Sequence, residues 1–161
     1  MNTAIPQKNL EEMLDRAVRE VTKQAAGVCL FQGGGELSED LCSVHISFNR
    51  GFHTSLTLCA DTALLTRMAQ NALEEETPTT QDLEDFCKEY FNILCGKIAA
   101  ILFRYTKIPA RFSVPEFYRG RYTPEEHQMQ FVLTYADGNQ QSAHLTHYVP
   151  QGGENNGSAA K

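Results

Sequence analysis

Between residues 85 and 103 the chain reads DFCKEYFNILCGKIAAILF, apolar at close helical spacing and free of proline. Asp85, Glu89, Asn92 and Gly96 stand out within it. With about 100° per residue and Asp85 as zero, Glu89 falls near +40°, Asn92 near −20° and Gly96 near +20°. All four share an arc of about 60°, with Asn92 one turn beyond Glu89, about 4.5 Å along the axis. Leu83, Phe86, Cys87, Tyr90, Phe91, Leu94, Ile98, Ile101 and Leu102 centre on the opposite side. Two carboxylates and an amide on one outward stripe suit a surface that meets another molecule or, joined by a histidine, a metal-dependent hydrolase. Gly96 leaves a flat spot where a second surface could approach. Asparagine and glycine both weaken a helix interior, glycine by about 1 kcal/mol relative to alanine. An ordinary amphipathic helix also has a polar face, and spacing alone leaves both readings open.

The elements that must position this stripe are legible along the chain. Leu10, Met13, Leu14, Ala17, Val18, Val21 and Ala25 form one helical face over residues 9–26, stopped by Gly27. VCLF (28–31) reads as a short strand, and Gly33, Gly34 and Gly35 as a mobile hairpin turn; the glycines lack the sequel of a phosphate loop. LCSVHISF (41–48) and FHTSLTLC (52–59) alternate about Asn49, Arg50 and Gly51, which predicts a β-hairpin. Asp61 is expected to cap a helix over about 62–75, with Leu64, Leu65, Met68, Ala72 and Leu73 inward. TPTT (77–80) breaks that helix and caps the longest one, over about 81–105. ARFSVPEFY (110–118) reads as extended and kinked by Pro115. QMQFVLTY (128–135) and QQSAHLTHY (140–148) flank an Asp-Gly turn, a strong hairpin signal. QGGENNGSAAK (151–161) is expected to be a disordered tail. The order predicts one α+β domain over residues 1–150, two-layered, an antiparallel β-sheet covered by long helices.

Composition narrows the function. A net charge of −6 and the absence of a basic stripe argue against nucleic acid as a partner. No apolar run is long enough to cross a bilayer, and the first residues lack the pattern of a signal peptide. Five cysteines at wide, irregular spacing suit reduced thiols in a cytoplasmic protein rather than zinc or a disulfide framework. His45, His53, His127, His144 and His147 fall on strands or loops, with no HxxxH pair and no cluster at ligand spacing, which counts against the metal hydrolase.

Asp85, three residues, Glu89, two residues, Asn92 and then Gly96 resembles the signature of the CheC/CheX/FliY chemotaxis phosphatases, and the order of elements over about residues 9–148 is similar too. Only one copy is visible: in the shorter helix Asn71 follows Met68, not an acid, three positions earlier, which resembles the CheX branch. The resemblance implies a cytoplasmic, CheX-like domain that dephosphorylates the aspartyl phosphate of a CheY-like response regulator. It implies no cofactor of its own, with Mg2+ held by the partner regulator, and a homodimer formed through sheet edges. Asn92 would orient the attacking water. Glu89 would pair with the regulator's active-site lysine, and Asp85 and Gly96 would be supporting contacts. Lys88 departs from the small residue common before the motif glutamate, and its charge could alter docking. A non-catalytic module that binds a response regulator or a flagellar switch component is the alternative.

Overall fold

The computed structural model describes residues 5–150, so the tail expected over 151–161 lies outside the described residues. In chain order the elements are α1 (Gln7–Ala26), β1 (Phe31–Gln32), β2 (Leu41–Arg50), β3 (Thr54–Asp61), α2 (Thr62–Leu73), α3 (Thr80–Thr106), β4 (Arg111–Phe112), β5 (Glu116–Arg119), β6 (His127–Ala136) and β7 (Ser142–Pro150). The seven strands form one sheet in the order β1-β6-β7-β3-β2-β4, with β5 also pairing β2. Every described strand pairing is antiparallel.

Alternation decides which side of the sheet meets the helices. Val44 lies opposite Leu58 and Ile46 opposite Leu56, Leu58 opposite Leu145, and Leu145 opposite Leu133. These residues form one buried layer with Leu14 and Val18 of α1, Leu65 and Met68 of α2, and Phe91, Leu94 and Ile98 of α3. The opposite face of the central strands carries Ser43, His45, Ser55 and Thr57, and these too are buried. Ser43 Oγ donates to the Gly120 carbonyl at 2.6 Å, and Tyr122 lies 4.8 Å from the His45 ring, so the β5–β6 connection covers that side.

The helices are held at their ends and against each other. The Thr79 side chain accepts from the Asp82 backbone N–H while the Asp82 carboxylate accepts from the Thr79 N–H, each at 3.0 Å, a reciprocal cap that starts α3. Gly27, at φ 65°, ends α1 in the left-handed conformation. Asn9 donates to the Tyr105 hydroxyl at 2.8 Å, Glu20 meets Lys97 at 3.4 Å, and Thr22 and Tyr90 hydroxyls lie 2.5 Å apart. The order of these pairs sets α1 and α3 antiparallel.

Four expectations need correction. The run 28–31 is not a strand: Val28 and Leu30 are buried in a connection, and only Phe31–Gln32 joins the sheet. The glycines after it make no hairpin, because β1 pairs with β6 and Gly33 N–H donates to the Thr134 carbonyl at 2.8 Å. Asp61 holds the N-cap position of α2, as expected, but its side chain makes no capping hydrogen bond; its carboxylate instead accepts from the backbone N–H groups of Ser38 at 2.7 Å and Ser142 at 2.8 Å. Ala72 and Leu73 are exposed rather than inward.

Candidate functional site

α3 is a helix of 27 residues, and its buried side takes up Leu83, Phe86, Cys87, Tyr90, Phe91, Leu94, Cys95, Ile98 and Leu102. That leaves the opposite stripe turned away from the core: Asp85, Glu89, Asn92 and Gly96 are all exposed. Their polar groups differ in how they are engaged. Asp85 Oδ1 accepts from Gln81 Nε2 at 2.8 Å, one turn earlier on the helix. Lys88 Nζ lies 3.0 Å from Glu84 Oε2, so its charge is matched within the helix. Among the described residues, Glu89 and Asn92 hydrogen-bond to nothing through their side chains. A carboxylate and an amide one turn apart are therefore free to meet an outside group.

Asn71 shows the contrast. It stands near the end of α2, and its Nδ2 donates to the Ala26 carbonyl at 2.8 Å, satisfying an acceptor at the end of α1 that the helix leaves open. Met68, three positions earlier, is buried. One asparagine joins two helices; the other faces outward.

Two grooves flank the stripe. On one side an open groove of about 520 Å³ lies between Asp85, Lys88, Glu89 and Asn92 of α3 and the segment Phe112–Pro115. That segment is fixed by Ser47 N–H donating to Ser113 Oγ at 3.0 Å and by Ser113 N–H donating to the Ser47 carbonyl at 2.8 Å. On the other side a groove of about 380 Å³ has Asp85 and Glu89 along one wall and Ala25, Ala72, Leu73 and Ile93 among its apolar lining. Neither wall is legible in the sequence. Pro115 marked the kink in the first without showing where it packs, and the apolar Ile93 beside the polar arc was the available signal for the second.

Among the described residues no histidine lines either groove. His45 is buried beneath the β5–β6 connection, its Nδ1 2.8 Å from Thr57 Oγ1, and burial lowers its pKa to about 4. Among the described residues no three His, Cys, Asp or Glu side chains gather where they could hold a metal ion. All five cysteines are free. Burial holds the thiols of Cys87 and Cys95 protonated, well above their usual range.

The fold and the stripe together define an α+β domain whose longest helix presents unengaged polar groups between two open grooves. Residues 42–136, more than half of the chain, match the family described as "Chemotaxis phosphatase CheX", and the protein belongs to the CheX family. Solved structures share its fold at low sequence identity. A CheX from Vibrio vulnificus is 15% identical, with 89% of this chain and 98% of that one covered and a TM-score of 0.73. A Borrelia burgdorferi CheX, crystallised as a CheX–CheY–BeF3–Mg2+ complex, is 13% identical over 86% of this chain and 95% of that one, with a TM-score of 0.70. FliY from Thermotoga maritima is 12% identical over 86% and 84%, with a TM-score of 0.59. No curated protein matches the sequence. No described helix is long and apolar enough to cross a membrane.

Proposed function

We propose that the protein dephosphorylates the aspartyl phosphate of a CheY-like response regulator, with α3 docked over the regulator's active site. The observation that carries this reading is the exposed pair Glu89 and Asn92, one turn apart and without hydrogen-bond partners among the described residues. Membership of the CheX family and the likeness to a CheX in complex with CheY support it.

The chemistry asks little of the docked helix. An acyl phosphate is already labile, and the regulator brings its own Mg2+ and lysine. What it lacks is a water held in line with the scissile P–O bond. Asn92 supplies that: its carboxamide accepts from and donates to the water without titrating, so orientation rather than proton abstraction lowers the barrier. Glu89 pairs with the regulator's lysine and fixes the helix in register. Asp85, already oriented by Gln81, adds a polar contact, and Gly96 admits close approach. Lys88, tied to Glu84, lines the groove that also holds Phe112–Pro115. A 100-fold acceleration needs about 2.7 kcal/mol, within the range that positioning provides.

The test is phosphate release from phosphorylated regulator and Mg2+. Asn92→Ala should slow it roughly 10- to 100-fold, about 1.4 to 2.7 kcal/mol, while leaving regulator binding in place. An Asn92→Ala protein as fast as the parent would remove the assigned role. A parent that binds the regulator without shortening its phosphate lifetime would identify a binding module instead.

The same reading includes a homodimer joined at sheet edges. β1 pairs only with Ala136 and Tyr135, so the outer edge of β6 from His127 to Leu133 has no strand beside it among the described residues. Met129 and Val132 are exposed along that strand. An uncovered edge is a template for a second strand. Sedimentation at micromolar concentration should show a dimer that Val132→Lys weakens; a monomer at that concentration would count against it.

A further inference from the structure

Three exposed aliphatic side chains surround the Glu89–Asn92 pair, each from a different element. Val114 is 81% exposed, Leu73 47% and Ile93 44%. Single exposed apolar residues are ordinary on a protein surface and need no explanation. These three differ in where they converge. Val114 rims the groove on the Lys88 side of the stripe. Leu73 and Ile93 line the groove on the other side, whose wall is formed by Asp85 and Glu89. The periodicity of α2 assigns Leu73 to an inward face, yet it stands open beside the site. Val114 is held out by its neighbours: Ser113 is hydrogen-bonded to Ser47 through both its backbone N–H and its hydroxyl, and Pro115 is buried.

We propose that Leu73, Ile93 and Val114 are the apolar contacts that seat the phosphorylated response regulator on both sides of α3. They set affinity and regulator preference for the reaction that Glu89 and Asn92 carry out, so the inference rests on the phosphatase reading.

Charge decides the occupant. Between the apolar contacts stand the carboxylates of Asp85 and Glu89, with Asp82 beside them in the second groove, while Lys88, the one cation lining either groove among the described residues, is matched by Glu84. The centre of this face is therefore acidic. A partner with a lysine and a bound divalent cation at its own centre complements it. A second copy of this chain meeting it by two-fold symmetry would place carboxylate against carboxylate, and an anionic membrane would be repelled. Apolar contacts around a central polar pair also keep bulk solvent from it while leaving the single water that Asn92 orients, which strengthens the charge pairing they enclose.

The experiment is made on the full chain with Leu73→Ser, Ile93→Ser, Val114→Ser and the Ile93→Ser/Val114→Ser double variant. Regulator loaded with beryllofluoride and Mg2+ reports Kd, and steady-state phosphate release reports KM and kcat. Leu73→Ser, Ile93→Ser and Val114→Ser should each raise Kd and KM about 10-fold, about 1.4 kcal/mol, with kcat within about 2-fold of the parent; Kd and KM unchanged in Leu73→Ser would remove Leu73 from the contacts. Asn92→Ala should do the opposite, lowering kcat with Kd retained. All three sites are exposed, so thermal melts of the variants should match the parent and exclude misfolding. Unchanged Kd and KM in the double variant would overturn the proposal. So would a change in self-association without one in regulator binding, which would assign the face to a second copy. If the parent binds regulator but releases no phosphate, the catalytic reading fails and Kd alone still decides the seating contacts; a parent that binds no phosphorylated regulator overturns both.

Discussion

Gly96 lies in the interior of α3 at a position where nothing in the fold asks for glycine. A Cβ built there meets no atom of the described residues within 4 Å. Gly34 is different: at φ 153° its Cβ would fall 2.8 Å from the Tyr135 carbonyl oxygen, so the packing of the β1 region on β6 requires the bare position. The helix therefore gives up about 1 kcal/mol at residue 96 with no internal return, which fits a surface that must be approached closely from outside. Gly96→Ala should raise the free energy of unfolding by up to about 1 kcal/mol, read by urea denaturation, while raising KM for phosphorylated regulator. A variant more stable and equally active would remove Gly96 from the contact surface. A variant less stable than the parent would mean that the fold uses the glycine after all.

At the scale of elements, what the sequence revealed and what it hid divide by the range of the interaction. The face of α3 was legible because it depends only on residues three and four apart, and its start because Thr79 and Asp82 cap each other across a single turn. The β2–β3 and β6–β7 hairpins were legible for the same reason, each closed by a short turn. Asp61 illustrates the limit. Its place before α2 was apparent, but its carboxylate is used by Ser38 and Ser142, which no local pattern brings near it. β1 is not legible locally, because an apolar run such as VCLF has the same composition whether it enters a sheet or packs as a connection, and its partner β6 lies about a hundred residues away. Leu73 is the instructive case for the site. Periodicity says which residues share a face of α2; it does not say whether a neighbouring element covers the last turn. The motif pair was thus visible in the sequence, while the apolar walls beside it depended on how α1, α2 and the β4–β5 segment meet α3.

At the scale of the whole molecule, two buried histidines make stability depend on pH. His147 lies on the helix-facing side of the sheet, opposite Leu56 on β3 and Phe131 on β6, and is 4% exposed. Its ring stacks with Phe131 at 4.9 Å and Phe52 at 5.7 Å, and neither ring nitrogen has a hydrogen-bond partner among the described residues. Burial lowers its pKa to about 4, as it does for His45 on the other face. In the unfolded chain both rings take up a proton near the ordinary value of 6.5. Between about 6.5 and 4 the unfolded state therefore binds more protons than the folded one, so stability rises with pH across that window. It is fully present above the unfolded value and is lost as the pH falls toward 4. Two such groups give a limiting slope of about 2.7 kcal/mol per pH unit. Urea midpoints should fall steadily from pH 7 to pH 5, a range above most carboxylate titrations. His147→Phe keeps an aromatic ring between Phe52 and Phe131 while removing the titratable group, and should flatten that fall by about half. A midpoint independent of pH over this range, or a His147→Phe protein with the full parental slope, would show that His147 is not held neutral in the folded state.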